Sequence, residues 1–224
     1  AVEAVRRWWT THGRHRFPNA TTLTITADAG GSNGYRVLAW KWHLAKLAAD
    51  ATQRLGKIDI VVNNAGGNTP QQIDVITDAE WDRIIELNLN SVMVLTRAVV
   101  PQMMARRSGK IIVVGSAAAM RGTARRSCYG AARGAQHAYV RSAGVELAPH
   151  NVQINATGQI FVENPTYFPP AVMASEELKQ RLKDVPAGRV ARGEEAAAFL
   201  LFLAGPESDF ISGQIFAYAG GWTV

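Results

Sequence analysis

Three side chains in one stretch of the sequence have the types and spacing needed to move a proton to or from a hydroxyl. Ser116 follows an apolar run, Tyr129 comes thirteen residues later, and Arg133 lies four residues after Tyr129. If Tyr129 lies in a helix, Arg133 is one turn further along the same face. Its guanidinium stays charged, and its field favours tyrosinate over neutral tyrosine. The three groups can then converge on one substrate oxygen and act as an acid–base centre.

A strand and a helix must position these groups. Residues 111–114 are all aliphatic, which predicts a strand buried on both faces, and ligands bind at the carboxyl ends of parallel strands. A helix is predicted from Tyr129 to about Ala148, because Pro149 follows. The spacing fits equally well an alternative in which these side chains are ordinary structural residues.

Length and composition predict one α/β domain. The chain has 224 residues, of which 47% are hydrophobic, enough for a sizeable core. No apolar run approaches a membrane span, no leader pattern opens the chain, and Cys128 is the single cysteine. We therefore expect a cytoplasmic protein without membrane contact, in which Cys128 packs rather than reacts.

The net charge of +6 is concentrated at the beginning of the chain. Residues 1–47 hold seven basic and two acidic side chains, whereas the remaining residues hold 17 and 16. The main part is therefore nearly neutral, and we expect no nucleic-acid partner. The glycines at 30, 31 and 34 match no dinucleotide-binding spacing, and they follow Asp28, which would repel a pyrophosphate.

The stretch ITADAGGSNGYRVLAWKWHLAKLA resembles an internal piece of an insertion-element transposase. In that family an aspartate after a strand is one of three metal-binding carboxylates, and the resemblance implies this role for Asp28. The other acidic partners are missing, so we expect no metal site. We divide the chain into an atypical segment, 1–47, and an α/β domain, 48–224.

Strands and helices alternate through the rest of the chain. Strands are predicted near 22–27, 57–62, 111–114, 152–156 and 214–218, and helices near 37–55, 78–106, 129–148, 175–183 and 194–203. This order predicts a Rossmann-like, doubly wound parallel sheet whose N-terminal part is incomplete or replaced. The first strand is expected either to pair beside the strand at 57–62 or to leave the sheet edge open.

The helix at 78–106 carries an apolar stripe that includes Trp81. Asn88 lies within this stripe and is either a satisfied core amide or a functional group that faces the site. Thr77 and Glu80 form a predicted capping box, and Pro101 is expected to bend the helix near its end.

The α/β domain resembles the short-chain dehydrogenase/reductase superfamily. The matching residues, in the expected order, are NNAG at 63–66, Asn88, Ser116, Tyr129, and the closing run from Ala187-Gly188-Arg189 to the final Ala-Gly-Gly. The resemblance implies that Tyr129 is the general acid or base and that Ser116 orients the substrate oxygen. In that superfamily a lysine four residues after the tyrosine assists it and holds the nicotinamide ribose, whereas here that position is Arg133.

The arginine, the aromatic segment NPTYFPP and the closing Gly-Gly-Trp resemble the halohydrin dehalogenase branch of the superfamily. The resemblance implies closure of a vicinal haloalcohol to an epoxide with release of halide, and reverse opening by small anions, without any dinucleotide cofactor. It implies Ser116, Tyr129 and Arg133 as catalytic residues. The implied halide and substrate pocket contains Ile160, Phe161, Tyr167, Phe168 and Trp222, with the N–H groups of Ile160 and Phe161 as anion donors.

Two alternatives to a haloalcohol dehalogenase remain open. One is an NAD(P)-dependent short-chain oxidoreductase with an altered triad, which the missing glycine fingerprint disfavours. The other is an inactive fusion or truncated protein. In the dehalogenase interpretation the partners are a small haloalcohol or epoxide and a halide or other small anion. The resemblance also implies a homo-oligomer, a dimer or tetramer, formed through the helices at 78–106 and 128–148.

Overall fold

The fold is a parallel sheet with helices on both faces, and it confirms the predicted Rossmann-like architecture. The computed structural model describes residues 24–26, 37–165 and 167–224. Over these residues five strands lie in chain order across one parallel sheet. The strands are β1 (Thr24–Thr26), β2 (Ile60–Asn63), β3 (Gly109–Val114), β4 (Val152–Gln159) and β5 (Ile215–Tyr218).

The first strand pairs with β2, which confirms one of the two outcomes expected for it. Thr24 to Thr26 run parallel to Val61 to Asn63, so β1 lies beside β2 in the sheet. The helix α1 (Val37–Leu55) continues across the proposed boundary between 47 and 48. Asp28 and the glycines at 30, 31 and 34 lie outside the described residues, so the division into two segments stays a prediction.

The remaining helices agree closely with the predicted spans, apart from a short helix at Pro170–Met173 that was not predicted. They are α2 (Asp78–Ile85), α3 (Ser91–Arg106), α4 (Ser127–Leu147), α5 (Pro170–Met173), α6 (Glu176–Leu182) and α7 (Gly193–Ala204). Thr77 caps α2 by accepting a hydrogen bond from the Glu80 N–H at 3.2 Å. The Glu80 carboxylate instead binds Arg83, so only half of the predicted capping box forms.

Alternation along β3 divides its side chains between two helical layers. Ile111 and Val113 pack in the main core with α1, α3 and α4. Lys110 points to the opposite face, where its Nζ lies 3.1 Å from the Ser208 hydroxyl and 2.6 Å from Asp209. Every residue of β3 is buried, as predicted for a central strand.

The long helical stretch Asp78–Arg106 contains a wider turn at Glu86–Asn90, where the backbone adopts π-helical hydrogen bonding. Such turns are often found at functional sites. The stretch is long and apolar enough to cross a membrane, but half of its apolar window is buried against the rest of the protein, as in a core helix. Trp81 is 43% exposed, so its predicted burial is wrong. The helix continues through Pro101 to Arg106.

Candidate active site

Ser116 lies directly beyond the carboxyl end of β3 and begins the site. It is buried, and its hydroxyl oxygen accepts a hydrogen bond from the Ala118 N–H at 3.2 Å. This bond caps a short turn at Ala117–Ala119. Because the amide uses the acceptor side of the hydroxyl, the serine proton remains available to a substrate oxygen.

The first turn of α4 places Tyr129 beside the Ser116 turn. A Cβ added at Gly130 would lie 3.5 Å from the Ala118 carbonyl, so the two segments are in close contact. Tyr129 is half-buried and packs against the small cluster of Ile84, Cys128 and Ala132. Within the described part of the chain no hydrogen bond uses the Tyr129 hydroxyl, which leaves it for a ligand.

Arg133 lies under Tyr129, as the four-residue spacing predicts. Its guanidinium carbon is 5.2 Å from the centroid of the Tyr129 ring. Arg133 is only 5% exposed, and its Nη1 donates to the carbonyl of Val114 at 3.0 Å. This bond ties α4 to the end of β3, so Ser116, Tyr129 and Arg133 meet at one edge of the sheet.

No carboxylate in the described residues forms an ion pair with Arg133. Its Nη1 instead donates to two neutral oxygens, those of Val114 and of Gln136 at 3.1 Å. A buried cation with only neutral partners keeps its field and stabilises negative charge that develops nearby. The phenol of Tyr129 is the nearest group that can carry such charge.

The Asn88 side chain fixes the loop that follows β2 next to the site. It is fully buried, its Oδ1 accepts from the Gly67 N–H at 3.1 Å, and its Nδ2 donates to the carbonyls of Gly67 and Ile84. Of the two expectations for Asn88, the structure favours the satisfied core amide. Gly66 lies against the guanidinium: an added Cβ would be 2.0 Å from Arg133 Nη2.

Four of the five predicted pocket residues belong to one apolar cluster beside Ser116. This cluster includes Ala117, the residue after Ser116, and contains Ile160, Phe161, Phe168 and Trp222. Tyr167 differs, since it is 55% exposed and lies at the rim. A cavity of about 250 Å³ adjoins the cluster and is lined by Ile160, Phe161 and residues of β5 and the 185–191 segment.

The two predicted anion donors have different surroundings. The N–H of Ile160 donates to the Tyr218 carbonyl at 3.2 Å and is therefore already used within the sheet. Phe161 has a φ of 53°, in the left-handed region that non-glycine residues rarely adopt. The Phe161 ring packs in the cluster, and such backbone conformations are often found at functional sites.

Arginines surround the aromatic cluster and Tyr129. The guanidinium of Arg121 lies 4.8 Å from the Trp222 ring, and that of Arg181 lies 5.2 Å from the Phe161 ring. Burial lowers the pKa of Arg126, with Tyr129 opposing and the nearby positive charge of Arg181 reinforcing the shift. The rim of the site is therefore electropositive.

Sequence reasoning missed two buried polar residues of α4, Gln136 and His137. Their signal was two consecutive polar residues inside a helix that packs on both sides.

Sequence reasoning correctly expected Cys128 to pack: it is buried, and burial raises the pKa of its thiol, which disfavours a nucleophilic role. Within the described residues no cluster of three metal-ligating side chains exists, and Asp28 lies outside them.

His137 lies beside Gly115, in buried surroundings that disfavour its charged form. Its Nε2 is buried without a partner, and a Cβ added at Gly115 would lie 2.7 Å from it. Burial lowers the pKa of His137 from 6.5 to about 4, and the positive charges of Arg141 and Arg133 reinforce this shift.

His137 is expected to make the fold sensitive to acid. Above pH 6.5 the imidazole is neutral in both the folded and unfolded chain, so the full stability is present. Between pH 6.5 and about 4 the His137 imidazole binds a proton in the unfolded chain but stays neutral in the folded chain. The free energy of unfolding therefore falls by up to about 3 kcal/mol as the pH is lowered through this range. Denaturant titrations across this range should show a flatter profile for His137→Leu, whereas the partly exposed His150→Gln should keep the wild-type slope. An unchanged slope in His137→Leu would contradict this origin.

A parallel sheet with a serine, a tyrosine and a cation at its carboxyl edge defines a short-chain dehydrogenase/reductase type of α/β protein. A family model described as enoyl-(acyl carrier protein) reductase matches residues 40–223, and the chain belongs to this family within the short-chain dehydrogenases/reductases. A second model, a transposase DDE domain from Rhodopirellula, matches residues 1–58. The family resemblance is thus confirmed at this level, and so is the transposase-like character of the first residues.

Curated relatives and solved structures agree with this family. The chain is 31% identical to a 3-oxoacyl-[acyl-carrier-protein] reductase of Thermotoga maritima over 81% of this chain and 72% of that protein. It is 34% identical to the short-chain reductase protein NovJ of Streptomyces niveus, over 90% and 79%. Similar solved structures include one described as a dehalogenation enzyme, with 34% identity, a TM-score of 0.76, and coverage of 80% and 74%. Another is a 7α-hydroxysteroid dehydrogenase complexed with NADH, with 30% identity, a TM-score of 0.74, and coverage of 81% and 70%.

The prediction that the enzyme is a halohydrin dehalogenase is wrong, because the curated relatives are reductases. The dehalogenation enzyme among the solved structures is a neighbour in fold and sequence. The physical reason for the error is that the triad spacing and the aromatic cluster describe proton transfer beside an apolar wall. Both reaction classes need these features, so they do not distinguish hydride transfer from halide release.

Proposed function

We propose that this protein is a short-chain oxidoreductase that interconverts an alcohol and a carbonyl compound. The observation that carries the proposal is the buried Arg133 guanidinium against the Tyr129 ring, beside the Ser116 turn. The reductase relatives support the reaction class. The proposed catalytic residues are Ser116, Tyr129 and Arg133.

The family implies a nicotinamide dinucleotide, and the described residues fit its nicotinamide–ribose end. Asn63 ends β2 beside the end of β1, and its Nδ2 is a buried donor without a partner. Ligands bind at this edge of a parallel sheet. Asn63 and the Nη2 of Arg133 would hold the ribose hydroxyls. When bound, the nicotinamide supplies the hydride donor or acceptor.

The side chains of the site provide the proton transfer. Tyr129 gives its hydroxyl proton to the substrate oxygen as a carbonyl becomes an alcohol, and takes the proton back in the reverse direction. Ser116 donates a hydrogen bond to the same oxygen, because its acceptor side is held by Ala118. Arg133 stabilises the negative charge that remains on the phenol oxygen.

The apolar cluster beside Ser116 is the proposed substrate wall. Phe161, Phe168 and Trp222 pack together with Ile160, and the Phe161 and Phe168 ring centroids are 6.5 Å apart. Tyr167 lies at the rim, where it is accessible to a substrate entering the site. The site therefore suits a small carbonyl or alcohol compound with an apolar flank.

Self-association through α2–α3 and α4 is part of the proposal. Val145 on α4 is 77% exposed, and small residues along the same helix allow close approach of a second copy. We further propose that the enzyme works in the cytoplasm, without a membrane or nucleic-acid partner.

Nicotinamide oxidation tests the proposed reaction directly. The protein is incubated with NADPH or NADH and a small β-ketoester, and loss of the reduced nucleotide is compared with the alcohol formed. We expect the amount of nucleotide oxidised to equal the amount of alcohol formed. With deuterium-labelled nucleotide, the deuterium is expected on the former carbonyl carbon. Absence of nucleotide binding at millimolar concentration, or halide release from a vicinal bromo-alcohol without nucleotide, would overturn the proposal.

A further inference from the structure

Gln136 is a fully buried glutamine that bridges two parts of the site. Its Oε1 accepts a hydrogen bond from the Nη1 of Arg133 at 3.1 Å, three residues earlier in α4. Its Nε2 donates to the backbone carbonyl of Asn88 at 2.8 Å. A buried amide that uses both ends has one orientation, because rotating it would leave two polar groups unpaired.

This bridge connects three elements of the site by hydrogen bonds. Asn88 lies in the π-helical turn at Glu86–Asn90, and its side chain holds the loop at Gly67. Gln136 therefore links that loop, the π-helical turn and Arg133 in one hydrogen-bonded chain. Through it the position of the guanidinium depends on α2–α3 as well as on α4.

The charge of the bridging group decides what Arg133 can do. A carboxylate at this position would also hold the guanidinium, but it would cancel the positive field at the Tyr129 ring. An amide oxygen holds the same donor and carries no net charge. The carbonyl of Val114 on the other side of Nη1 is neutral as well.

We infer that Gln136 is a positioning residue. Together with the Val114 carbonyl it forms an uncharged set of partners, here called the neutral cradle, which holds the Arg133 guanidinium under Tyr129. The positive field of Arg133 at the phenol is therefore not reduced by a neighbouring negative charge. The role in turnover rests on the proposed function, whereas the effect on the phenol itself does not. In the alternative, Gln136 only provides hydrogen-bond partners for the buried Arg133 guanidinium and Asn88 carbonyl, and it affects stability alone.

Two substitutions separate these roles. Gln136→Leu removes both hydrogen bonds, while Gln136→Glu keeps an acceptor for Arg133 and adds a negative charge. For both variants we expect kcat to fall by about ten- to a hundredfold and the pH–rate profile to move to higher pH by about one unit, with the KM for the carbonyl substrate nearly unchanged. Recovery of the wild-type profile in Gln136→Glu would overturn the neutral cradle.

Gln102 provides a matched control within the same protein. It is a partly buried glutamine whose Oε1 accepts from Arg106 at 3.1 Å and whose Nε2 donates to Thr52 at 2.9 Å, at the other end of the sheet. Gln102→Leu loses these bonds and the one that the Gln102 Oε1 accepts from the Ile58 N–H, and it is expected to lower the unfolding temperature while leaving kcat and its pH profile at wild-type values. An equal loss of kcat in both Gln→Leu variants would assign Gln136 to stability alone.

A titration without substrate or nucleotide distinguishes failure of this inference from failure of the proposed function. Subtracting the ultraviolet absorbance of Tyr129→Phe from that of the parent protein isolates ionisation of this one phenol. In the Gln136→Leu background the isolated titration is expected at higher pH than in wild type. A shifted titration in a protein that reduces no carbonyl would overturn only the reaction, whereas an unshifted titration would overturn the role of Gln136.

Discussion

Tyr129→Phe is expected to lower kcat by about a thousandfold, the size of contribution that a positioned acid or base makes. The substitution removes one oxygen and keeps the ring, which packs against Ile84, Cys128 and Ala132. Because the hydroxyl forms no hydrogen bond within the described residues, the free energy of unfolding should change by less than about 0.5 kcal/mol. Steady-state kinetics and thermal unfolding of the same preparation measure both quantities.

Tyr139→Phe is the matched control in the same helix. Burial raises the pKa of Tyr139, which packs against the main core. Because this ring lies in the core and not at the site, removal of its hydroxyl should leave kcat unchanged. The two tyrosines thus predict opposite outcomes, and wild-type turnover by Tyr129→Phe would remove the phenol from the mechanism.

The architecture was predictable because its signals are local. The aliphatic run at 111–114 becomes a strand with every residue buried, and the Thr77 cap starts a helix where expected. The helix that contains Pro101 runs on to Arg106, and the bend expected there stays a prediction. A π-helical turn that the sequence analysis did not predict lies at Glu86–Asn90, where Asn88 binds the loop at Gly67.

Burial of individual side chains was less predictable, since it depends on distant segments. Trp81 fits the apolar stripe of its helix, but it is 43% exposed, whereas Ile84 in the same stripe is buried. Gln136 looks like a surface residue in the sequence and is fully buried. Its two partners, Arg133 and Asn88, are recognisable only once α3 and α4 are packed together.

The relative placement of the three proposed catalytic residues was predictable, whereas the reaction was not. The four-residue spacing from Tyr129 places Arg133 under the phenol, and the strand before Ser116 brings the serine to the same edge. The reaction depends instead on which groups contact the reacting carbon of the substrate, and on whether a cofactor or a leaving halide accepts the electron pair from that carbon. Those groups come from loops and from a cofactor, where side-chain spacing carries little information.

Gly66→Ala is expected to disable the site through a single added methyl group. The new Cβ would lie 2.0 Å from Nη2 of Arg133, and 2.9 Å from both its guanidinium carbon and the Oδ1 of Asn88. These contacts force the guanidinium away from Tyr129. We expect kcat to fall by about a hundredfold or more, since an ångström of misplacement at a catalytic group has that effect. Overpacking should also lower the free energy of unfolding by about 1–3 kcal/mol.

A double-mutant cycle identifies the guanidinium as the cause. In an Arg133→Ala background the 2.0 Å clash is absent and only the 2.9 Å contact with the Asn88 Oδ1 remains, so Gly66→Ala should there cause a much smaller further loss of either kcat or stability. Gly122→Ala controls for the change of residue type, because nothing lies within 4 Å of the added atom and full activity is expected. If Gly66→Ala were equally damaging with and without Arg133, its effect would come from the loop backbone. The close contact between Gly66 and the buried cation would then have no part in holding the catalytic geometry.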